Sequence, residues 1–126
     1  MGEITFRLDA PLPLLNRWER MHWRAKSKHK QELAREIWAL TAGQVAAPLE
    51  RAEVLVWRHS IREPDHDGLI VKSLLDALQP ASKRHPYGIG IIAGDDSEHV
   101  TCKIQHVTAK RRAEQCTVVV IRDLGA

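Results

Sequence analysis

Asp65 and Asp67 stand two residues apart in "REPDHDGLIVKSLLDALQ" (62–79), with Lys72 and Asp76 following. Two carboxylates held close repel unless something offsets the repulsion, and a divalent cation is the usual partner. In an extended segment residues i and i+2 point the same way, so this pair can converge on one ion, with Pro64 helping to fix the approach. Oxygen donors beside a lysine suit Mg²⁺ or Mn²⁺, hard ions that keep several waters and bind phosphates; zinc would want more sulfur or imidazole. Taken singly, Asp67 also reads as a helix N-cap and Asp65 as a turn residue before it. A second acidic pair, Asp95 and Asp96 in "IGIIAGDDSEHV", follows Gly94, which is expected to let the backbone turn sharply. In isolation that pair reads as a polar turn.

A different chemistry is written between residues 16 and 30. Arg17, Arg20, Arg24, Lys26, Lys28 and Lys30 face the single acid Glu19 and are interleaved with Trp18, His22 and Trp23. Such a cluster suits phosphate contact. It equally describes a solvated helix start whose tryptophans anchor the core or an interface. His66, His85 and His99 lie near the acidic motifs without an HxH or HxxxH pattern, and read as partly exposed loop histidines.

These side chains must be positioned by a small set of elements. "EITFRL" alternates apolar and polar residues with period two and predicts a strand with Ile4, Phe6 and Leu8 inward. Pro11 and Pro13 then favour an extended loop crossing the surface. Residues 27–45 carry Leu33, Ala34, Ile37, Trp38 and Leu40 at helical spacing, and a break containing Pro48 over 46–50 leads to a strand over 52–60. From Gly68 a second helix places Ile70, Leu74 and Leu78 in one row, with Lys72, Asp76 and Gln79 on the other face. Side chains on a helix lean toward its N-terminus, which aims Lys72 back toward Asp67. Asp76 is a possible partner for Lys72. A loop over 80–90 precedes strands over 100–107 and 116–124, expected to pair as a terminal hairpin. The order β-α-β-α-β-β predicts an α+β fold in two layers, a mixed sheet with helices packed on one face.

The 126 residues, 44% hydrophobic, make one domain (1–126) with a modest core. That is short for an enzyme enclosing its substrate, so a second copy is expected to help build the site. A net charge of +3 is compatible with polyanionic partners without requiring them. Cys102 and Cys116 form no CxxC pair, and neither a secretory segment nor a membrane-length apolar run is present. A cytoplasmic protein with reduced thiols and no membrane partner is expected.

Taken in order, "APLPLLN" ending at Asn16, "PDHDG", Lys72 with "DAL" at 76–78, and "GDDSEHV" resemble the motifs of the RusA-type Holliday-junction resolvases carried by phages and prophages. The resemblance spans nearly the whole chain. It implies a Mg²⁺-dependent homodimeric endodeoxyribonuclease, with Mn²⁺ a possible substitute, that resolves four-way junction DNA by symmetric nicks in recombination and repair. On that resemblance Asp65, Asp67 and Asp96 are metal-binding and catalytic carboxylates, Asp95 helps hold the metal, and Lys72 is the catalytic or phosphate-positioning cation. Asn16, Arg17, Arg20, Arg24, Lys26 and Lys28 are the candidate DNA contacts. Two departures stand out: Gly68 replaces the usual Asn, and the interval from Asp67 to Lys72 is one residue longer. The competing expectations are a non-catalytic branched-DNA-binding module and a metal-dependent nuclease acting on flaps or RNA.

Overall fold

The computed structural model describes residues 2–42, 44–45 and 47–125, apart from the side chain of His66. Four strands, β1 (Glu3–Leu8), β2 (Ala52–Ser60), β3 (Val100–Thr108) and β4 (Cys116–Asp123), and three helices, α1 (Leu15–Arg20), α2 (Trp23–Thr41) and α3 (Lys72–Leu78), build a mixed-sheet α+β fold. The expected alternation appears in β1, where Ile4, Phe6 and Leu8 are buried and Glu3, Thr5 and Arg7 exposed.

The sheet order is β1-β4-β2-β3, so the expected terminal hairpin does not form. β3 pairs parallel to β2, Val56 opposite Ile104, and β4 crosses to the other side of β2, antiparallel to it, with Val119 opposite Val56. β1 then closes the far edge against β4, Phe6 opposite Val119. The physical reason lies in side-chain fit: β4 carries Thr117, Val119 and Ile121 buried on one face and half-buried Val118 and Val120 on the other. A strand apolar on both faces gains more between two neighbours than at an edge.

One face of this sheet carries Ile4, Phe6, Leu8, Val54, Val56, Val119 and Ile121 into a single core with Leu33, Ala34 and Ile37 of α2 and Leu74, Ala77 and Leu78 of α3. At roughly 25 cal/mol per Å² of apolar surface removed from water, this layer is the main stabilising contribution. The proline segment after β1 is pinned inward rather than crossing the surface. Thr117 Oγ1 accepts from the Leu12 N–H at 3.0 Å and donates to the Ala10 carbonyl at 3.0 Å, while Arg58 Nε donates to the Leu12 carbonyl at 2.7 Å. Burial disfavours the charge on Arg58 and lowers its pKa.

Several local expectations shift. α1 was not legible, and α2 begins at Trp23, with the His22 Nδ1 capping the Arg24 N–H at 3.2 Å. The helix expected over 27–45 ends at Thr41, and Gly43 and Ala46, within that helix and the following break, lie outside the described residues. α3 begins at Lys72, because residues 66–68 form a 3₁₀ turn instead. Asp76 does not share an exposed face with Lys72: it is buried, with Lys30 Nζ of α2 3.1 Å from its Oδ2 and His85 Nδ1 3.8 Å from its Oδ1.

Candidate functional site

A cleft of about 780 Å³ separates the start of α1 from the 3₁₀ turn after β2. Leu14, Leu15, Asn16, Arg17, Arg20 and Met21 line one side, and Asp65, Asp67 and Gly68 the other. The first wall exists because Thr117 and Arg58 fix the chain at Leu12, and Trp18, buried on the inner side of α1, turns Arg17 and Arg20 outward. The second wall exists because β2 delivers the chain to Pro64, after which the Gly68 N–H closes a turn onto the Asp65 carbonyl at 2.8 Å.

Segments almost fifty residues apart thus bring two exposed carboxylates opposite two exposed guanidinium groups. Among the described residues, no ion pair joins Asp65 or Asp67 to Arg17 or Arg20. Both signs of charge therefore face the cleft without neutralising one another at contact distance. Leu14, Leu15 and Met21, which no sequence pattern singles out, add apolar surface to the α1 wall. At Gly68 an added Cβ would meet only the Pro64 Cβ at 3.9 Å and the Leu14 Cδ2 at 4.0 Å, ordinary contacts, so sterics do not demand glycine there.

The remaining predicted residues lie elsewhere. Lys72 is exposed at the first position of α3 and does not line the cleft. Arg24, Lys26 and Lys28 stand on the first turns of α2, with Lys26 Nζ 5.4 Å and Lys30 Nζ 5.9 Å from the Trp18 ring centre and Lys28 Nζ 3.9 Å from Glu32. Asp95 and Asp96 precede β3, away from the cleft lining. Asp96 is engaged locally: His99 Nδ1 lies 2.8 Å from each of its oxygens, and its Oδ1 accepts from the Glu98 N–H at 2.9 Å. The His99 hydrogen bond holds the Asp96 pKa below the usual carboxylate value and raises that of His99. Gly94 serves this pair by space rather than by a left-handed backbone, since a Cβ there would sit 3.2 Å from His99 Nδ1 and 3.3 Å from Asp96 Oδ2.

As donors for a metal, Asp65 and Asp67 are hard oxygen ligands lining one cleft, with Asn16 on the facing wall. That chemistry suits Mg²⁺, which takes one or two carboxylates and leaves its other positions to water and substrate phosphate. The set stops there: among the described residues, no three His, Cys, Asp or Glu side chains gather as a metal-holding group. Sequence reasoning also missed the Lys30–Asp76–His85 cluster, because nothing in the period of α3 signals that Lys30 of another helix makes burial of Asp76 tolerable.

The chain matches no protein-family model, and comparison with curated proteins yields no significant relative. Among the described residues no helix is long and apolar enough to cross a membrane.

Proposed function

We propose that the protein is a metal-dependent, structure-specific endodeoxyribonuclease of the Holliday-junction-resolving kind, with the α1 cleft as its site. The observation that carries this reading is the facing of Asp65 and Asp67 by Arg17 and Arg20 without ion pairing between them. Carboxylates alone would repel a phosphodiester, and arginines alone would bind one without acting on it. Together they suit a phosphate accompanied by a dication.

Arg17 and Arg20 draw a backbone phosphate into the cleft, and the Asn16 amide orients it by hydrogen bonding. Asp65 and Asp67 would hold Mg²⁺, which would supply charge neutralisation and Lewis acidity at the phosphate. Leu14, Leu15 and Met21 add apolar surface beside Arg17 and Arg20, which lowers the local dielectric and strengthens their pull on a phosphate. Asp96, the third carboxylate that the resemblance assigns, is held by His99, so the proposal rests on Asp65 and Asp67. Arg24, Lys26 and Lys28 carry the strand beyond the cleft. Two symmetric nicks need two such sites, which a two-fold homodimer supplies.

The test is cleavage of a labelled synthetic four-way junction with Mg²⁺, compared with a linear duplex of the same sequence and with Asp67→Asn. Paired nicks in the junction alone, lost in the variant, are expected. The engagement of Asp96 by His99 favours one second reading, a branched-DNA-binding module without catalysis, for which the same experiment gives binding and no nicks with either Mg²⁺ or Mn²⁺. Nicking of flapped DNA or RNA in preference to junctions would keep the chemistry and change the substrate.

A further inference from the structure

Trp23 opens α2 with 66% of its surface exposed. Single exposed apolar residues are ordinary, but the setting of this one is specific. The His22 cap fixes the first turn of α2, so the indole stands on a rigid helix start rather than on a loop. The His22 ring flanks it with centroids 5.6 Å apart and planes 34° from parallel, and the Arg24 guanidinium carbon lies 5.2 Å from its centre. In the other direction the chain runs directly into Met21 and Arg20 on the wall of the cleft. Between residues 17 and 28, five cations, Arg17, Arg20, Arg24, Lys26 and Lys28, accompany the single acid Glu19. Trp38, also strongly exposed at 59%, instead borders a shallow apolar groove with Ala34, Tyr87 and Ile89.

We propose that Trp23 is a stacking platform for an unstacked nucleobase at the branch point of the DNA whose phosphates the neighbouring cations hold. The inference rests on the branched-DNA reading of the cleft and deepens it by naming what selects the branch. Cations attract any strand, because every nucleotide carries a phosphate. An indole gains from a base only where the base face is free, and in a regular duplex both faces are already stacked. At a branch point the stack is interrupted, so an aromatic face beside a row of cations adds affinity there and not on linear duplex. The preset ring lowers the entropy lost on stacking, and the flanking guanidinium adds a second planar surface.

The experiment measures fluorescence anisotropy of a fluorescein-labelled four-way junction and of a linear duplex in EDTA, where nicking does not interfere. It uses the wild type, Trp23→Ala, Trp23→Phe and Trp38→Ala, with the oligomeric state of each followed by sedimentation. Trp23→Ala is expected to weaken junction binding about ten- to a hundredfold while leaving duplex binding nearly unchanged, and Trp23→Phe to retain most of it. The slope of log affinity against log salt stays constant, because no phosphate contact is removed. Trp38→Ala behaves as wild type. An equal loss on both DNAs, no loss on the junction, or a change of oligomeric state in Trp23→Ala would overturn the stacking role, the last by making Trp23 a contact between copies of the chain. Failure of the wild type to bind the junction would overturn the branched-DNA reading together with it. Junction binding that depends on Trp23 but never leads to nicks in Mg²⁺ would remove the nuclease and keep the platform.

Discussion

The Nδ1 of His99 lies 2.8 Å from each carboxylate oxygen of Asp96, so one imidazole closes a ring over the acid that precedes β3. The hydrogen bond and the charge favour the protonated imidazole and the ionised carboxylate together. His99 should therefore titrate above its ordinary 6.5 and Asp96 below its ordinary 3.8. A raised histidine value means a stabilising contribution complete below the unfolded pKa and lost as pH rises through the folded one. A depressed carboxylate value means a contribution present above the unfolded pKa and lost as pH falls through the folded one. The pair is at full strength between about pH 4 and 6.5, the two unfolded values. An NMR titration of the imidazole should place the His99 midpoint above 6.5 in the wild type and lower in Asp96→Asn; equal midpoints would show that the contact does not persist in solution.

Buried charge makes the Lys30–Asp76 contact sensitive to the loss of one partner. The Asp76 side chain is only 7% exposed, and Lys30 Nζ approaches its Oδ2 at 3.1 Å without hydrogen-bond alignment. Lys30→Met leaves a carboxylate in the interior with His85 Nδ1, itself without a hydrogen-bond partner, 3.8 Å away. The expected cost is roughly 2–4 kcal/mol in urea denaturation, discounted for the partial exposure of Lys30. Replacing both residues, Lys30→Met with Asp76→Leu, should recover much of that loss. A double variant as unstable as the single one would assign the cost to packing rather than to the stranded charge.

Asp65 and Asp67 are exposed on the cleft wall, and neither side chain caps the 3₁₀ turn that follows. Asp65→Asn and Asp67→Asn should accordingly change folding stability by less than about 0.5 kcal/mol. Junction cleavage should fall by about two orders of magnitude or more, since neither amide can replace an anionic metal ligand. Saturating Mg²⁺ should raise the melting temperature of the wild type and not of the double variant, by linkage between binding and folding. A shift of equal size in both would place the ion elsewhere.

Cys102 lies in β3 opposite Val54, where burial pushes its thiol up to about 11. Cys116 is buried at the start of β4. Cys102, for want of thiolate, and Cys116, for want of access, should both resist a disulfide reagent at pH 8 in the folded protein and react within the mixing time in urea. Rapid labelling of Cys102 under native conditions would mean that edge strand β3 opens locally.

Much of the secondary structure was legible, and for identifiable reasons. The bounds of β1 follow from period-two alternation ended by the proline segment, and those of β2 from a β-branched and aromatic run between the break at Pro48 and Pro64. The neighbours of β4 were not legible, because adjacency in sequence favours a hairpin while pairing is decided by both faces of the strand at once. α1 escaped notice because six residues are too few to display a period, and its only buried side chain is Trp18. Within the site, Asp65 and Asp67 were visible as an i, i+2 pair, and Asn16, Arg17 and Arg20 as part of a basic stretch. Their meeting across one cleft depends on Thr117 and Arg58 holding Leu12, a tertiary fact without a local signature. Asp96 was visible as an acid but not as the partner of His99, although a histidine three residues on was the available hint.

The placement of β4 between β1 and β2 also sets an order of events during synthesis. β1 pairs with no strand other than β4, and β2 lacks one of its two neighbours until residues 116–123 have left the ribosome. A nascent chain holding β1, β2 and β3 but not β4 can form a two-stranded parallel unit, which is marginal on its own. β1 must therefore wait for β4 before its backbone hydrogen bonds to the sheet can form. Commitment to the fold is thus a late event, and a translational pause before residue 116 would prolong the interval in which chaperones are needed.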